Sequence, residues 1–229
     1  MSERYRSSEE VLARHVRDMG EDLGRVYTEL ANGVARLQLK WDLYKQLYTH
    51  SQNRIDLINR AAGWFFRVVQ GALIGDVLLH VGRLTDQERI SGRDNLTIRR
   101  LPTLVPREVR PDVTALCDAA ISACESIRAW RNRRGAHSDL QTAILGSPVP
   151  DITYEQIDWA VVSFRNLLNR IEQHYWRTPV MYEEIVAPPG DADALVYCLL
   201  KGIRSDEARY RRLKDGNPLP EDLKQEELP

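Results

Sequence analysis

The strongest constraint on this chain is an apolar series that keeps a helical period from Leu12 to Tyr48. Leu12, Val16, Met19, Leu23, Val26, Leu30, Val34, Leu37, Trp41, Tyr44 and Tyr48 are spaced by three or four, so they form one stripe on one helix face. Ser7 and Glu10 stand just ahead of the series at capping-box spacing, which starts the helix there. Gly20, Gly24 and Gly33 lie inside it, and each weakens a helix interior by roughly 1 kcal/mol, so a bend is expected near one of them. A stripe of this length must be covered by other helices or by a partner helix.

A second helical pattern covers residues 52–84 and is apolar around most of its circumference, with Ile55, Ile58, Trp64, Phe65, Phe66, Val69, Leu73, Val77, Leu78 and Val81. It is expected at the centre of a bundle, with Gly71, Gly75 and Gly82 marking close crossings by a neighbour. Arg67, Gln70, Asp76 and His80 interrupt its apolar run, and the first residues lack a leader pattern, so the expectation is a cytoplasmic protein that neither spans a membrane nor is secreted.

From Asp86 to Arg110 the period stops. Arg89, Arg93, Arg99, Arg100, Arg107 and Arg110 outnumber Glu88, Asp94 and Glu108 among prolines, with a short helical turn expected around Leu96 to Leu101. The segment is either a phosphate-contacting surface or a solvated connection. A third helix begins near Pro111-Asp112 and carries Val113, Leu116, Ala120, Ala123, Ile127 and Trp130 into Arg131. Thr153 and Gln156 repeat the capping-box spacing ahead of Ile157, Val161, Phe164, Leu168, Ile171 and Tyr175, a fourth helix. Pro188-Pro189-Gly190 precedes a shorter helix over about 191–214. No stretch alternates as a strand does, so the fold class is all-α: a helical bundle over 1–178, a C-terminal helical extension packed on it over 179–214, and a flexible acidic, proline-containing tail over 215–229.

Composition narrows function mainly by exclusion. The 229 residues are 43% hydrophobic and 28% charged, a globular balance, and a net charge of -1 leaves nucleic-acid binding to a local basic surface. Cys117, Cys124 and Cys198 lack the spacing of a zinc knuckle or redox dithiol and read as buried thiols. No phosphate loop, serine elbow or His-Glu-x-x-His occurs, and no cofactor or metal is indicated.

Two constellations of titratable residues remain. Asp76, His80 and Arg83 share one face of the second helix, either as a satisfied polar cluster or as the lining of a cleft. The string Arg131-Asn132-Arg133-Arg134-Gly135-Ala136-His137-Ser138-Asp139 joins guanidinium groups, which hold phosphate with paired donors, to an imidazole that moves protons near neutral pH. On an unbroken helix Arg131 and His137 would stand about 120° apart, so they converge only if the helix ends near Gly135 or a second subunit completes the site. The bland alternative is a basic helix end that neutralises the helix dipole.

These residues resemble the HEPN domains, and among them the AbiU type of prokaryotic abortive-infection proteins. The resemblance rests on Arg131-Asn132 with His137 after five intervening positions, on Ala136-His137-Ser138-Asp139, and on Trp41-Asp42 with Tyr44 and Leu47. It extends to Arg83-Leu84-Thr85-Asp86, Asn95-Leu96-Thr97-Ile98-Arg99-Arg100-Leu101 and Ile152-Thr153, and so covers most of residues 23–175. It implies an all-α HEPN-like bundle of long antiparallel helices with a short helix in the connecting loop. It further implies a homodimer that joins the two motif regions and, in active members, a metal-independent endoribonuclease used as a toxin in antiviral or stress defence. Arg131 would orient the scissile phosphate, His137 would handle the protons of 2'-hydroxyl attack, and Asn132 would position the motif. Arg133, Arg134, Asp139, Arg83, Arg99 and Arg100 are the candidates for holding RNA substrate. The partners implied are RNA, a second subunit and an antitoxin or defence protein; the alternative is a non-catalytic helical module that binds a protein, nucleotide or RNA.

Overall fold

The computed structural model describes residues 7–132, 152–176 and 190–224. Among the described residues its elements are helical apart from one hairpin of two two-residue strands, in keeping with the all-α expectation. Ser7 caps α1 (Ser8–Met19) through the expected capping box. The stripe from Leu12 to Tyr48 is not one helix: α1 ends at Gly20, whose φ of 87° is open to glycine at little cost, and α2 (Glu21–Tyr48) begins immediately after it. The two helices then cross closely. A Cβ on Gly24 would lie 2.6 Å from Val16 Cα and 2.7 Å from the His15 carbonyl, so both glycines are required by this corner.

The chain forms two compact units, residues 1–41 with 73–186, and residues 42–72 with 187–229. The helices α2 and α3 (Gln52–Leu84) contribute to both. In the first unit, Leu23, Tyr27, Leu30, Val34, Leu37 and Trp41 of α2 are buried, as are Val77, Leu78, Val81 and Leu84 of α3. Its other main helices are α5 (Arg110–Ala123), α6 (Glu125–Trp130) and α7 (Tyr154–Trp176). Ile157, Ala160, Phe164, Leu167, Leu168 and Ile171 bury the face of α7, and each large apolar side chain so placed contributes about 1.5–3 kcal/mol. Polar anchors fix the register of α2 against α7: the Tyr27 hydroxyl donates to Glu172 Oε1 at 2.7 Å, and Trp41 Nε1 donates to Asp158 Oδ1 at 2.5 Å. The expected third helix is divided at the buried Cys124 into α5 and α6.

After α3 the chain makes a hairpin of β1 (Arg89–Ile90) and β2 (Arg93–Asp94), turned by Ser91 and Gly92, both at positive φ. The sequence shows no alternation here because two residues per strand are too short to display one. A 3-10 turn at Ile98–Arg100 and α4 (Leu101–Leu104) follow, at the place where a short helical turn is expected.

The second unit holds the remainder of α2 and α3, with α8 (Ala192–Lys214) and a 3-10 turn at Pro220–Leu223. Asp191 caps α8 by accepting from the Ala194 amide, and Gln46 bonds to both Asp191 and the Ala192 amide. Arg212 grips Asp222 through two bonds of 2.7 and 2.6 Å and so ties the turn at Pro220–Leu223 to α8. The expectation of a central α3 needs correction in this unit. Trp64, Phe65 and Val68 are 78%, 60% and 56% exposed, α3 departs from helical geometry at Ala62, and Gly71 has no neighbour within 4 Å of where its Cβ would stand. By length and composition α3 could cross a membrane, a test that a core helix also passes.

Candidate functional site

Arg131 and Asn132 follow directly on α6, where the helix widens into a π-type turn. The Arg131 side chain does not project into solvent. It lies across α3 at Gly82, where an added Cβ would come within 2.7 Å of its Cδ and 2.9 Å of its Nη1. Its Nη2 pairs with Asp86 Oδ1 at 2.7 Å, and the two side chains are only 16% and 17% exposed. Asn132 Oδ1 lies 3.4 Å from Arg131 Nε and 3.2 Å from Nη2. The guanidinium is thus bracketed by a carboxylate and an amide, with Nη1 against the glycine surface.

Asp86 is held in turn by the chain that leaves α3. The Thr97 hydroxyl lies 2.8 Å from the Asp86 carbonyl oxygen and 3.0 Å from that of Leu84, and Arg99 Nε donates to the Thr85 carbonyl at 3.1 Å. Arg100 donates to the Asn95 and Glu88 carbonyls at 2.6 and 3.1 Å and pairs with Asp94 at 3.1 Å. Arg99 and Arg100, proposed from sequence as substrate contacts, therefore brace this connection with part of their donor sets. Arg83 is exposed on α3 and makes no ion pair among the described residues. Arg133, Arg134, His137 and Asp139 lie outside the described residues.

The second constellation is also assembled. Asp76 pairs with Lys40 of α2, and His80 reaches over Gly33 of α2, its Nε2 3.6 Å from where a Cβ there would stand. Burial pushes the His80 imidazole down to about 4, helped by the positive charges of Lys40, Arg36 and Arg83 and opposed by Asp76, so it is neutral at pH 7. Burial also pushes the Cys117 and Cys124 thiols up to about 11 and 12, making them inert packing groups; Cys198, expected to be buried, is exposed. No group of His, Cys, Asp and Glu among the described residues could hold a metal ion.

Asp86, Gly82, Arg36 and Lys40 escape the sequence reading as site residues. The signal for Asp86 is present in Arg83-Leu84-Thr85-Asp86, but its pairing with Arg131 spans 45 positions of chain and depends on how α3 meets α6. A hollow of about 470 Å³ opens in the second unit, lined by Tyr48, Ile58, Trp64, Phe66, Arg67 and Gln70 among others, and none of the candidate site residues lines it.

Comparison with known proteins returns the AbiU2 family of HEPN domains, matched over residues 20–195. Neither the curated proteins nor the solved structures give a significant match. A match over so much of the chain shows the family: the protein belongs to the AbiU2 family of HEPN domains.

Proposed function

We propose that this AbiU2-family HEPN domain is a metal-independent endoribonuclease that acts as a toxin in abortive infection or stress defence. The observation that carries the reading is the seating of Arg131, the first residue of the Arg-to-His motif, against Gly82 and Asp86 in a family of the abortive-infection type. A guanidinium tied through Nη2 to a carboxylate and through Nε to an amide oxygen is pre-oriented, and its Nη1 donors are left to meet a non-bridging oxygen of a phosphodiester. His137 would take the 2'-hydroxyl proton, the oxygen would attack the adjacent phosphorus, and the P–O5' bond would break as the 5'-oxygen receives the proton back from the imidazolium, yielding a 2',3'-cyclic phosphate and a 5'-hydroxyl. Asn132 would hold the motif in register. A homodimer would bring two motif regions together, and an antitoxin or defence partner would restrain cleavage.

The same pair favours a second reading. Its salt bridge leaves Arg131 little exposed, as suits a non-catalytic module in which the motif is structural. The deciding experiment incubates RNA with the protein in the presence of chelator and compares it with His137→Ala. Cleavage that disappears in the variant is expected; cleavage that persists in a folded His137→Ala protein, or absence of cleavage by the unmodified protein, favours the binding module.

A further inference from the structure

The geometry points to a phosphate-binding ledge on the paired α2 and α3 helices, formed by Arg36, Lys40, His80 and Arg83, that holds the backbone of a single RNA strand. The two helices run antiparallel, and their contacts set the register: Lys40 pairs with Asp76, and Gly33 faces His80 and Leu84. Arg36 and Lys40 stand one turn apart on α2, and Asp76, His80 and Arg83 share one face of α3. The imidazole lies against α2 at Gly33, its Nε2 at ordinary contact distance, 3.6 Å, from where a Cβ there would stand.

The charges on the ledge are unbalanced. Asp76 engages Lys40, whereas Arg36 and Arg83 are exposed and make no ion pair or hydrogen bond among the described residues. Three cations and one carboxylate act on His80, from α2 and α3 alike, and the net effect of the cations is to oppose a further positive charge. An oxyanion placed there would relieve this repulsion and could accept from both guanidinium groups, while the neutral imidazole offers a hydrogen bond without competing for charge. On a chain whose net charge is -1, such a local excess supplies the basic surface that RNA binding requires. The inference takes the identity of its ligand from the ribonuclease reading, but its test measures binding and is independent of cleavage.

The experiment titrates the protein with a non-cleavable 2'-O-methyl RNA dodecamer across a salt series, and compares it with an Arg36→Ala/Arg83→Ala variant. Loss of two phosphate contacts on a single strand should make the slope of log affinity against log salt shallower by about 1.4. In parallel, NMR follows the His80 ring with and without inorganic phosphate. A bound anion should raise its pKa in the unmodified protein by about one unit and leave it unmoved in the double variant. An unchanged salt slope, absence of oligonucleotide binding by the unmodified protein, or a His80 titration that ignores phosphate would each overturn the ledge. Failure of the cleavage assay alongside a slope that changes as expected would leave the ledge standing and remove only the catalytic reading.

Discussion

Gly82 and Asp86 do for Arg131 what its own backbone cannot. An arginine has enough side-chain freedom that an unsupported guanidinium samples many positions, and here a glycine surface and a carboxylate select one of them. Replacing Asp86 by alanine should reduce RNA cleavage about 100-fold if the pair orients a catalytic arginine, since a displacement of about 1 Å costs that much. If the pair instead masks a binding residue, the same variant should bind RNA more tightly and gain no cleavage. Rate and affinity measured on one preparation separate the two. Gly82→Ala should resemble Asp86→Ala in rate, because the added methyl displaces the side chain that Asp86 holds. The Arg-to-His spacing was legible in the sequence; the pairing of Asp86 with Arg131 was not, because nothing local marks a carboxylate as the partner of a residue 45 positions away.

Among the helices, the first corner shows how glycine acts in two ways. Gly20 supplies a positive φ at the end of α1, and Gly24 supplies the missing Cβ where α1 packs on α2. Gly24→Ala would press a methyl into backbone atoms that cannot move aside, and a loss of about 3 kcal/mol is expected from the denaturation midpoint. Gly71→Ala is the counterpart: Gly71 sits in a helix with open space around it, so the change should be neutral or stabilise by up to about 1 kcal/mol. In sequence the two glycines look alike, each inside an amphipathic helical pattern. Periodicity also placed α3 in the middle of a bundle, although Trp64 and Phe65 are exposed, because an apolar circumference states what a helix could bury and not how many neighbours reach it.

For the molecule as a whole, the response to acid follows from groups whose titration differs between folded and unfolded chain. His80 is held down to about 4, and burial also lowers His15, so the unfolded chain binds more protons as pH falls below 6.5. Stability from these histidines is fully present above pH 6.5 and is lost progressively toward pH 4. Arg212 beside Asp222 holds its carboxyl down to about 2, well below the ordinary 3.8, so that pair stabilises the second unit above pH 4 and is lost toward pH 2. Urea unfolding from pH 7.5 to 4.5 should show falling stability in the upper window, and His80→Gln should flatten that slope. An unmodified slope in the variant would mean that His80 is solvated and titrates normally.

Covalent order alone encodes the helical class, the capping boxes at Ser7 and Thr153, the extent of α3 and the family resemblance. All of these are encoded over a few helical turns, where side-chain period, caps and spacing are fixed by covalent order. That Gly20 breaks the long stripe, that Arg131 rests on Gly82 and pairs with Asp86, and that Arg36 and Lys40 join His80 became visible with the packing of the helices. These depend on which helix faces meet and at what register, and the free energy of such meetings is summed over contacts between residues far apart in the chain.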